Sequence, residues 1–520
     1  MALFQSLPEE LLQLFSQPSL GSIAILAGIT GSLYLACRAV YALTVDPLAS
    51  FPGPRLCAVS RFPYWLQVFR GRDIHWIHAL HERYGPAVRF GPSDLSFSTP
   101  QAWRDFHGHV KGRPSPLKAD DYGMQPANGV RSILLCDNEN HARVRRIFAP
   151  GFSDRALRQQ QPIFMKYVNL LVDRVEQAVR RVQSPAKLEM TRYMHFATFD
   201  IMAELCFGHP LDLLEKDAFS PWVASIFELI SLLPASMFIE YYPVLSSLLK
   251  RFEPKWVRDT KDEHFKHSAD RVDRRLQEQT NRPDFWSFVV SKDEAGERLS
   301  LGEMHSNAEL FMLAGTETSA TLLSGLLFQL CSEPRKLHVL VAEIRGSHSS
   351  IDDMTFESLA RLPYLNACIK EGLRIYPPVP SGAPRIVPDG GLSIVDQWVP
   401  AKTRVVLTQY AAHRSPANFA EPETFAPERW LPRGSHTESD DSGRFAGDNP
   451  EAWLPFGTGA RACLGKNMAM YESRLILAAL LFRFDFALAE ESRGWMEQKA
   501  YALWVKNPLV CHVSLAAGTR

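Results

Sequence analysis

Phe456-Gly457-Thr458-Gly459-Ala460-Arg461-Ala462-Cys463-Leu464-Gly465 is followed by Lys466 to Phe482, a largely apolar run with helical periodicity. Cys463 therefore stands at the mouth of a helix, with glycines on both sides. A helix N-terminus presents unpaired N–H groups and a positive dipole end, which favours a thiolate. Glycines let the backbone come close to a flat object and let those N–H groups point at sulfur. The other seven cysteines (Cys37, Cys57, Cys136, Cys206, Cys331, Cys368 and Cys511) are scattered without a C-x-x-C pair and read as reduced, buried thiols.

Working outward from this stretch, Ser300-Leu301-Gly302-Glu303 has the form of a capping box opening a long helix that Pro334 ends. Inside that helix lies Ala314-Gly315-Thr316-Glu317-Thr318-Ser319. Close helix packing would account for Gly315 and the hydroxyls, but an acid beside an alcohol in an apolar helix is expensive to bury. Glu371-Gly372-Leu373-Arg374, on a helix ended by Pro377-Pro378, puts acid and base on one face at i, i+3. Phe425-Ala426-Pro427-Glu428-Arg429-Trp430 follows further along. A thiolate held as Cys463 would be suits a haem iron, where it pushes electron density toward bound dioxygen and assists O–O cleavage. That cleavage needs two protons delivered into a dry pocket, which gives the acid–alcohol pair a purpose.

These four segments, in this order, resemble the motifs of the cytochrome P-450 haem-thiolate monooxygenases. F-x-x-G-x-R-x-C-x-G is that family's haem-binding signature. The resemblance implies a mainly α fold with a minor β-sheet domain, the cytochrome P-450 fold, and one N-terminal transmembrane helix. It implies haem b (iron protoporphyrin IX) as cofactor, Cys463 as axial ligand to the iron, and Arg461 on a propionate. Phe456, Gly459 and Gly465 belong to the same cofactor-binding loop. His141 stands where the family has Trp in W-x-x-x-R, with Arg145 as its arginine, and Arg385 matches a further propionate arginine. Thr318 would orient a water or hydroperoxide, and Glu317 would belong to the proton path. Glu371, Arg374 and Arg429 would form a buried structural network holding the loop that leads to Cys463.

The remaining chain fits this picture. With 520 residues, 46% of them apolar, it can bury a large core, and Lys+Arg 57 against Asp+Glu 57 gives no electrostatic footprint for nucleic acid. Leu20 to Leu43 is long and apolar enough to cross a bilayer, and no Lys or Arg precedes Arg38, unlike a signal peptide. Glu9 and Glu10 precede the span, and Arg38, Arg55, Arg61, Arg70 and Arg72 follow, which leaves the body on the cytosolic side. The expected organisation is an anchor over 1–45 and a catalytic domain over 46–520, joined at Phe51-Pro52-Gly53-Pro54-Arg55 and sitting on the endoplasmic reticulum membrane. Helices are expected at Ala156–Arg180, Phe219–Leu233, Trp256–Gln279, Leu301–Cys331 and Met354–Tyr376. Strands are expected at Ala87–Phe90 and Arg404–Leu407, and Pro432–Asn449 reads as an exposed loop.

The segments around His141 to Ser153 and Lys466 to Phe486 resemble fungal members that decorate polyketides, terpenoids and related secondary metabolites. Pocket walls are expected from Asp120–Ile133, Phe227–Phe238, Leu310–Ala314, Val379–Ala383 and Ala502–Trp504, all largely apolar, which suits a lipophilic small molecule. Phe227, Met237, Phe238 and Trp504 read equally well as core or membrane-contact residues. No nucleotide-binding G-x-G-x-x-G follows a strand, so NADPH would act indirectly, through a separate flavoprotein reductase docking near Arg143, Arg146 and Lys466. Two other classes are weighed: a reductase-independent haem-thiolate isomerase or peroxide user, and a membrane-anchored sensing haemoprotein. The pair Glu317-Thr318 argues against the first of these, and an apolar channel with that pair intact argues against the second.

Overall fold

The computed structural model of the chain describes residues 20–108, 115–120, 122, 126–182, 185–249, 251–252, 254–278, 282–289, 298–432 and 443–517. Glu9 and Glu10, residues 433–442 of the expected loop, and residues 121 and 123–125 of one expected pocket wall lie outside the described residues.

The helices used below are α1 (Leu20–Thr44), α2 (Phe62–Arg70), α3 (Asn138–Phe148), α4 (Asp154–Arg181), α5 (Met190–Phe207), α6 (Pro221–Tyr241), α7 (Lys255–Gln277), α8 (Leu301–Ser332), α9 (Pro363–Ile375) and α10 (Lys466–Arg483). The strands used below are β1 (Ala87–Gly91), β2 (Asp94–Phe97), β3 (Leu117–Lys118), β4 (Ala186–Glu189), β5 (Arg385–Ile386), β6 (Arg404–Leu407), β7 (Phe484–Leu488), β8 (Lys499–Tyr501), β9 (Leu503–Val505) and β10 (Val510–Leu515).

Helix α8 is the axis of the molecule. Ser300 caps it: the Ser300 hydroxyl accepts from the Glu303 N–H at 3.2 Å, and the Ser300 N–H donates to Glu303 Oε2 at 2.8 Å. It ends at Ser332, and Pro334 starts the next helix at its first position, where a missing N–H costs nothing. Its most extensive packing is on α5, with α7, α9 and α10 on its other sides. A single apolar cluster runs through α4, α5, α8, α9 and α10. Gly315 lets α8 and α5 approach, since a Cβ there would lie 2.6 Å from Met202 Sδ.

The larger sheet has the order β1-β2-β6-β5-β3, with β2 and β6 parallel and the other pairs antiparallel. Its β3–β5 pairing sets Lys118 opposite Arg385. A smaller sheet has the order β4-β10-β7, and β8 and β9 form a separate hairpin.

One expected helix is interrupted. Met354–Tyr376 divides into a short helix, Phe356–Ala360, and α9, because Pro363 cannot donate into the preceding turn and instead opens α9 at its first position. By length and composition, Ile23–Thr44, Pro221–Tyr241 and Leu301–Ser332 could each cross a membrane. Their most apolar windows are 0%, 39% and 72% buried within the protein, so α8 is core while the apolar window of α1 stands free of it.

Candidate active site

A cavity of ≈ 390 Å³ lies between α8, the loop that carries Cys463, α3 and the β3–β5 edge of the larger sheet. Cys463 lines it, together with Phe456, Arg461 and Gly465. The loop is tied by the Cys463 N–H, which donates to the Phe456 carbonyl at 2.8 Å. Gly465, whose N–H acts electrostatically on the thiol, stands at the threshold of α10. Burial pushes the thiol up from its ordinary value, while that N–H, Arg145 and Lys466 pull it down without outweighing burial. The helix-start effect is thus present at Cys463, but desolvation exceeds it.

The two glycines serve different ends. Gly459 has φ 74°, and a Cβ on it would come within 2.3 Å of the His107 carbonyl oxygen, so both conformation and space require glycine. Around Gly465 the nearest neighbour of a Cβ would be 4.0 Å away, on Phe152. Gly465 contributes its N–H rather than its smallness.

The end of the cavity beside the sheet is strongly basic. His107, Lys118, His141, Arg145, Arg385 and Arg461 all line it. The Arg145 guanidinium donates to the Ala462 carbonyl at 2.7 Å. Arg461 donates to the Cys136 carbonyl at 2.7 Å and to Asn138 Oδ1 at 3.1 Å. Arg385 is 6% exposed, and its Nε has no hydrogen-bond partner. Burial and the Arg461 and Arg145 guanidiniums push His141 down to about 3, and burial with Arg385 and Arg461 pushes Lys118 down to about 7. Among the described lining residues the sole carboxyl is Glu472, on α10. Such a cluster calls for anionic groups. A haem fits both requirements: its propionates would answer the basic end, and its iron would meet the cysteine sulfur.

Across the cavity, α8 presents Leu310, Phe311, Ala314, Gly315, Thr318, Ser319 and Leu322. The Thr318 hydroxyl donates to the Ala314 carbonyl at 2.7 Å, and α8 stays helical through this turn. Glu317 is not among the lining residues. It is 2% exposed, accepts from His195 Nε2 at 2.9 Å, and is ion-paired with Lys506, whose ammonium also reaches Thr321 Oγ1 at 3.0 Å. Burial pushes the Glu317 carboxyl up, but Lys506 and His195 outweigh it and hold the group at about 2.

The structure brings Glu371, Arg374 and Arg429 together. Glu371 and Arg374 side chains are both 0% exposed, joined by two hydrogen bonds of 2.8 Å. Arg429 Nε reaches Glu371 Oε1 at 3.2 Å, Trp430 Nε1 reaches Oε2 at 2.9 Å, and the Ala426 N–H reaches Oε1 at 2.8 Å. Arg374 also donates to the carbonyls of His413, Pro422 and Thr424, pinning the meander before the cysteine loop.

Some pocket walls differ from expectation. Tyr122, Ile133, Val379 and Ala383 line the cavity, but Phe227 packs in an aromatic cluster with His195 and Phe219, and Phe238 packs on Trp65. Trp504 is core: it stacks on Tyr376 and donates to the Pro377 carbonyl at 2.8 Å. Met237 and Ala502 line a second, smaller cavity of ≈ 30 Å³, which shares Tyr122 and Gly382 with the large one. Of the cations expected to face a reductase, Arg143 is paired with Glu303, and Arg146 and Lys466 are exposed. Lys118, His195, Lys506 and Glu472 were not legible as site residues. Of these, Lys118 had one sequence clue, a cation three residues after Ser115 in a short extended run, and that pattern is common on any surface.

A thiol-bearing loop under a long central helix, with a basic cluster at one end, defines a haem-thiolate protein. The chain belongs to the cytochrome P450 family, whose sequence model matches residues 52–512. It is 41% identical over 487 residues to the cytochrome P450 monooxygenase efuB of Hormonema carpetanum, covering 93% of this chain and 95% of that one. It is 40% identical to the cytochrome P450 monooxygenase FUM2 of Gibberella moniliformis, covering 91% and 98% of the two chains. With the versicolorin B desaturase stcL of Emericella nidulans it shares 37% identity, over 95% and 98% of the two chains.

Proposed function

We propose that the protein is a haem-thiolate monooxygenase that acts on a lipophilic small molecule of fungal secondary metabolism, by hydroxylation, epoxidation or desaturation. The observation that carries this reading is that Cys463 and Thr318 line one cavity. Cys463 would be the protein ligand to the iron, and Arg461, Arg385, Arg145, His141 and Lys118 would hold the propionates. The bound haem supplies oxygen activation. The protein's own part is to position and to control protons. The Gly465 N–H, which favours the charged form of the sulfur, would temper its donation of charge. Leu310, Phe311, Ala314 and Val379 keep the substrate side apolar and limit water. Thr318 Oγ1 is the hydroxyl able to hold and pass a proton there. Glu317, ionised and paired outside the cavity, keeps α8 in place and sets the field behind Thr318 rather than meeting oxygen itself.

Membrane association and a lipophilic substrate are supported by one surface. Phe62 and Phe69 of α2, Val244 and Leu248 of the helix Pro243–Leu249, and Phe252 and Trp256 are exposed. The Phe69–Phe238 and Trp65–Tyr242 ring contacts bring these two regions together. The smaller cavity lies beneath them, lined by Tyr64 and Val68 of α2 and by Pro234 and Met237 of α6. With α1 as anchor, this face would lie against the endoplasmic reticulum bilayer with the body in the cytosol. Electrons would come from NADPH through a flavoprotein reductase.

Incubating reductase-coupled microsomes with a metabolite library, scored by mass, tests the reading. Gain of one oxygen or loss of two hydrogens, dependent on NADPH and reductase, supports it. Turnover with peroxide alone, or an isomerisation without electrons, would replace it with a reductase-independent reading.

A further inference from the structure

The large cavity and the smaller one of ≈ 30 Å³ meet at Tyr122 and Gly382, which line both. The smaller one is walled by Asp73, at the start of the helix Asp73–Tyr84, by Tyr64 of α2 and by Arg404 of β6, with apolar residues such as Met237. Asp73 is 6% exposed and Tyr64 8%. Among the described residues, neither the Asp73 carboxyl nor the Tyr64 hydroxyl has an ion pair or a side-chain hydrogen bond. Arg404, the cation on the same wall, is paired with Asp94 at 3.6 Å, and Asp94 also with Arg61 at 3.2 Å. The N–H groups of Ile74 and of Asp73 itself favour the charged acid, yet burial outweighs them and pushes it up to about 7. An exposed acid would serve a helix start equally well. A buried one at a cavity wall costs stability and gains its missing partner only from what enters the cavity.

We propose that Asp73 and Tyr64 form a specificity subsite for a hydroxyl group at the end of an elongated lipophilic substrate that lies away from the reacting carbon. An alcohol is the group that meets both side chains at once, since its oxygen accepts from the Tyr64 hydroxyl while its proton goes to the Asp73 carboxyl. The apolar body of such a molecule would pass Tyr122 and Gly382 into the large cavity, which Thr318 and Cys463 line. A molecule without that hydroxyl leaves the acid buried and unpartnered, which is how a polar site rejects an apolar isostere. The substrate therefore arrives already oxygenated at one end. What happens at the other end rests on the monooxygenase reading above, whereas recognition of the hydroxyl does not.

The test uses full-length, haem-loaded protein and three linear probes: dodecanol, its methyl ether and dodecane. Binding is read from the change in haem absorbance on titration, which needs neither reductase nor oxygen. Wild type should bind dodecanol about tenfold tighter than the ether, the range that one hydrogen bond to a buried acid corresponds to. Asp73→Ala should abolish that preference, and Asp73→Asn, which still accepts but carries no charge, should keep about threefold of it. Tyr64→Phe should weaken alcohol and ether alike by about threefold, because both offer it an acceptor, and leave dodecane unchanged. The proposal is overturned if wild type binds the alcohol no tighter than the ether, or if no probe shifts the haem band. It is equally overturned if the Asp73 variants keep the full preference, or if they weaken all three probes alike, as a merely structural role would. Should Asp73→Ala fail to fold, Asp73→Asn and Tyr64→Phe decide by the same comparisons. Absence of any reductase-dependent product would sink the proposed function while leaving the binding spectra to judge Asp73 and Tyr64.

Discussion

Glu317 and Thr318 are neighbours in sequence and part company in space: Thr318 lines the cavity that Cys463 also lines, while the Glu317 carboxylate is closed off between Lys506 and His195. The cavity face of α8 runs through Ala314–Gly315 and Thr318–Ser319, and Glu317, rotated by about 100° from Thr318 on the side away from Ser319, falls off that face. The two therefore divide their work, and they should respond differently to substitution.

Removing the Thr318 hydroxyl should leave substrate binding and reduction nearly intact while more oxygen leaves as hydrogen peroxide. Thr318→Ala is expected to lower product per NADPH about tenfold, equivalent to about 1.4 kcal/mol at the step where the proton is needed. Apparent substrate affinity should change little. Thr318→Ser should recover much of the coupling. Product, peroxide and NADPH measured in parallel check this, and unchanged coupling in Thr318→Ala would leave it as a packing residue.

Glu317 should behave as a buried ion-pair partner. Glu317→Gln leaves the Lys506 ammonium buried without its counter-charge and should cost about 3 kcal/mol or more of stability. Adding Lys506→Met should return a good part of it, in thermal or urea unfolding. The sign of the pH dependence follows from a carboxyl held near 2 in the folded protein against 4.5 as its ordinary value. Its stabilising contribution is complete above about pH 4.5 and is lost as pH falls toward 2. Glu317→Gln should flatten that part of the stability profile.

Arg374 holds Glu371 and three carbonyls of the meander at once. Arg374→Ala strands a fully buried carboxylate as well as those carbonyls, at an expected cost of about 3–5 kcal/mol. The readout is a lowered unfolding midpoint together with loss of haem at a temperature that wild type tolerates.

The apolar window of helix α1 is 0% buried, and α1 meets the body only near its end, where Ala42 is buried and its carbonyl accepts from Arg89 at 2.9 Å. Deleting residues 1–43 should preserve the haem spectrum and release most of the protein from membranes. Residual binding to vesicles should then depend on the exposed aromatic and aliphatic face, and Phe252→Ser with Trp256→Ser should reduce it. Loss of haem binding on deletion would place the amino terminus inside the fold.

What was legible in the sequence was whatever chemistry makes rare. The cysteine loop, the Ser300 cap and the Glu371–Arg374–Arg429 set each need particular residues at fixed spacing, and the structure brings them together as those spacings require. Helix α5 was not anticipated, because Met190 to Phe207 is buried on nearly every side and so carries no amphipathic period. The partners of Glu317 were equally hidden. Lys506 is far away in the chain and is delivered by the turn after β9, a placement set by tertiary packing alone. Likewise, nothing local distinguishes Lys118 from a surface cation until β3 pairs with β5 and sets it against Arg385.

The central claim is that Cys463 is the thiolate ligand of a haem held between α8 and α10. The most direct measurement is the absorbance of reduced protein under carbon monoxide, recorded for wild type and Cys463→Ser at equal haem content. Wild type is expected to show the long-wavelength band of a thiolate-ligated haem, and Cys463→Ser to lose it completely. Persistence of that band in Cys463→Ser, or its absence from correctly folded, haem-loaded wild type, would contradict it.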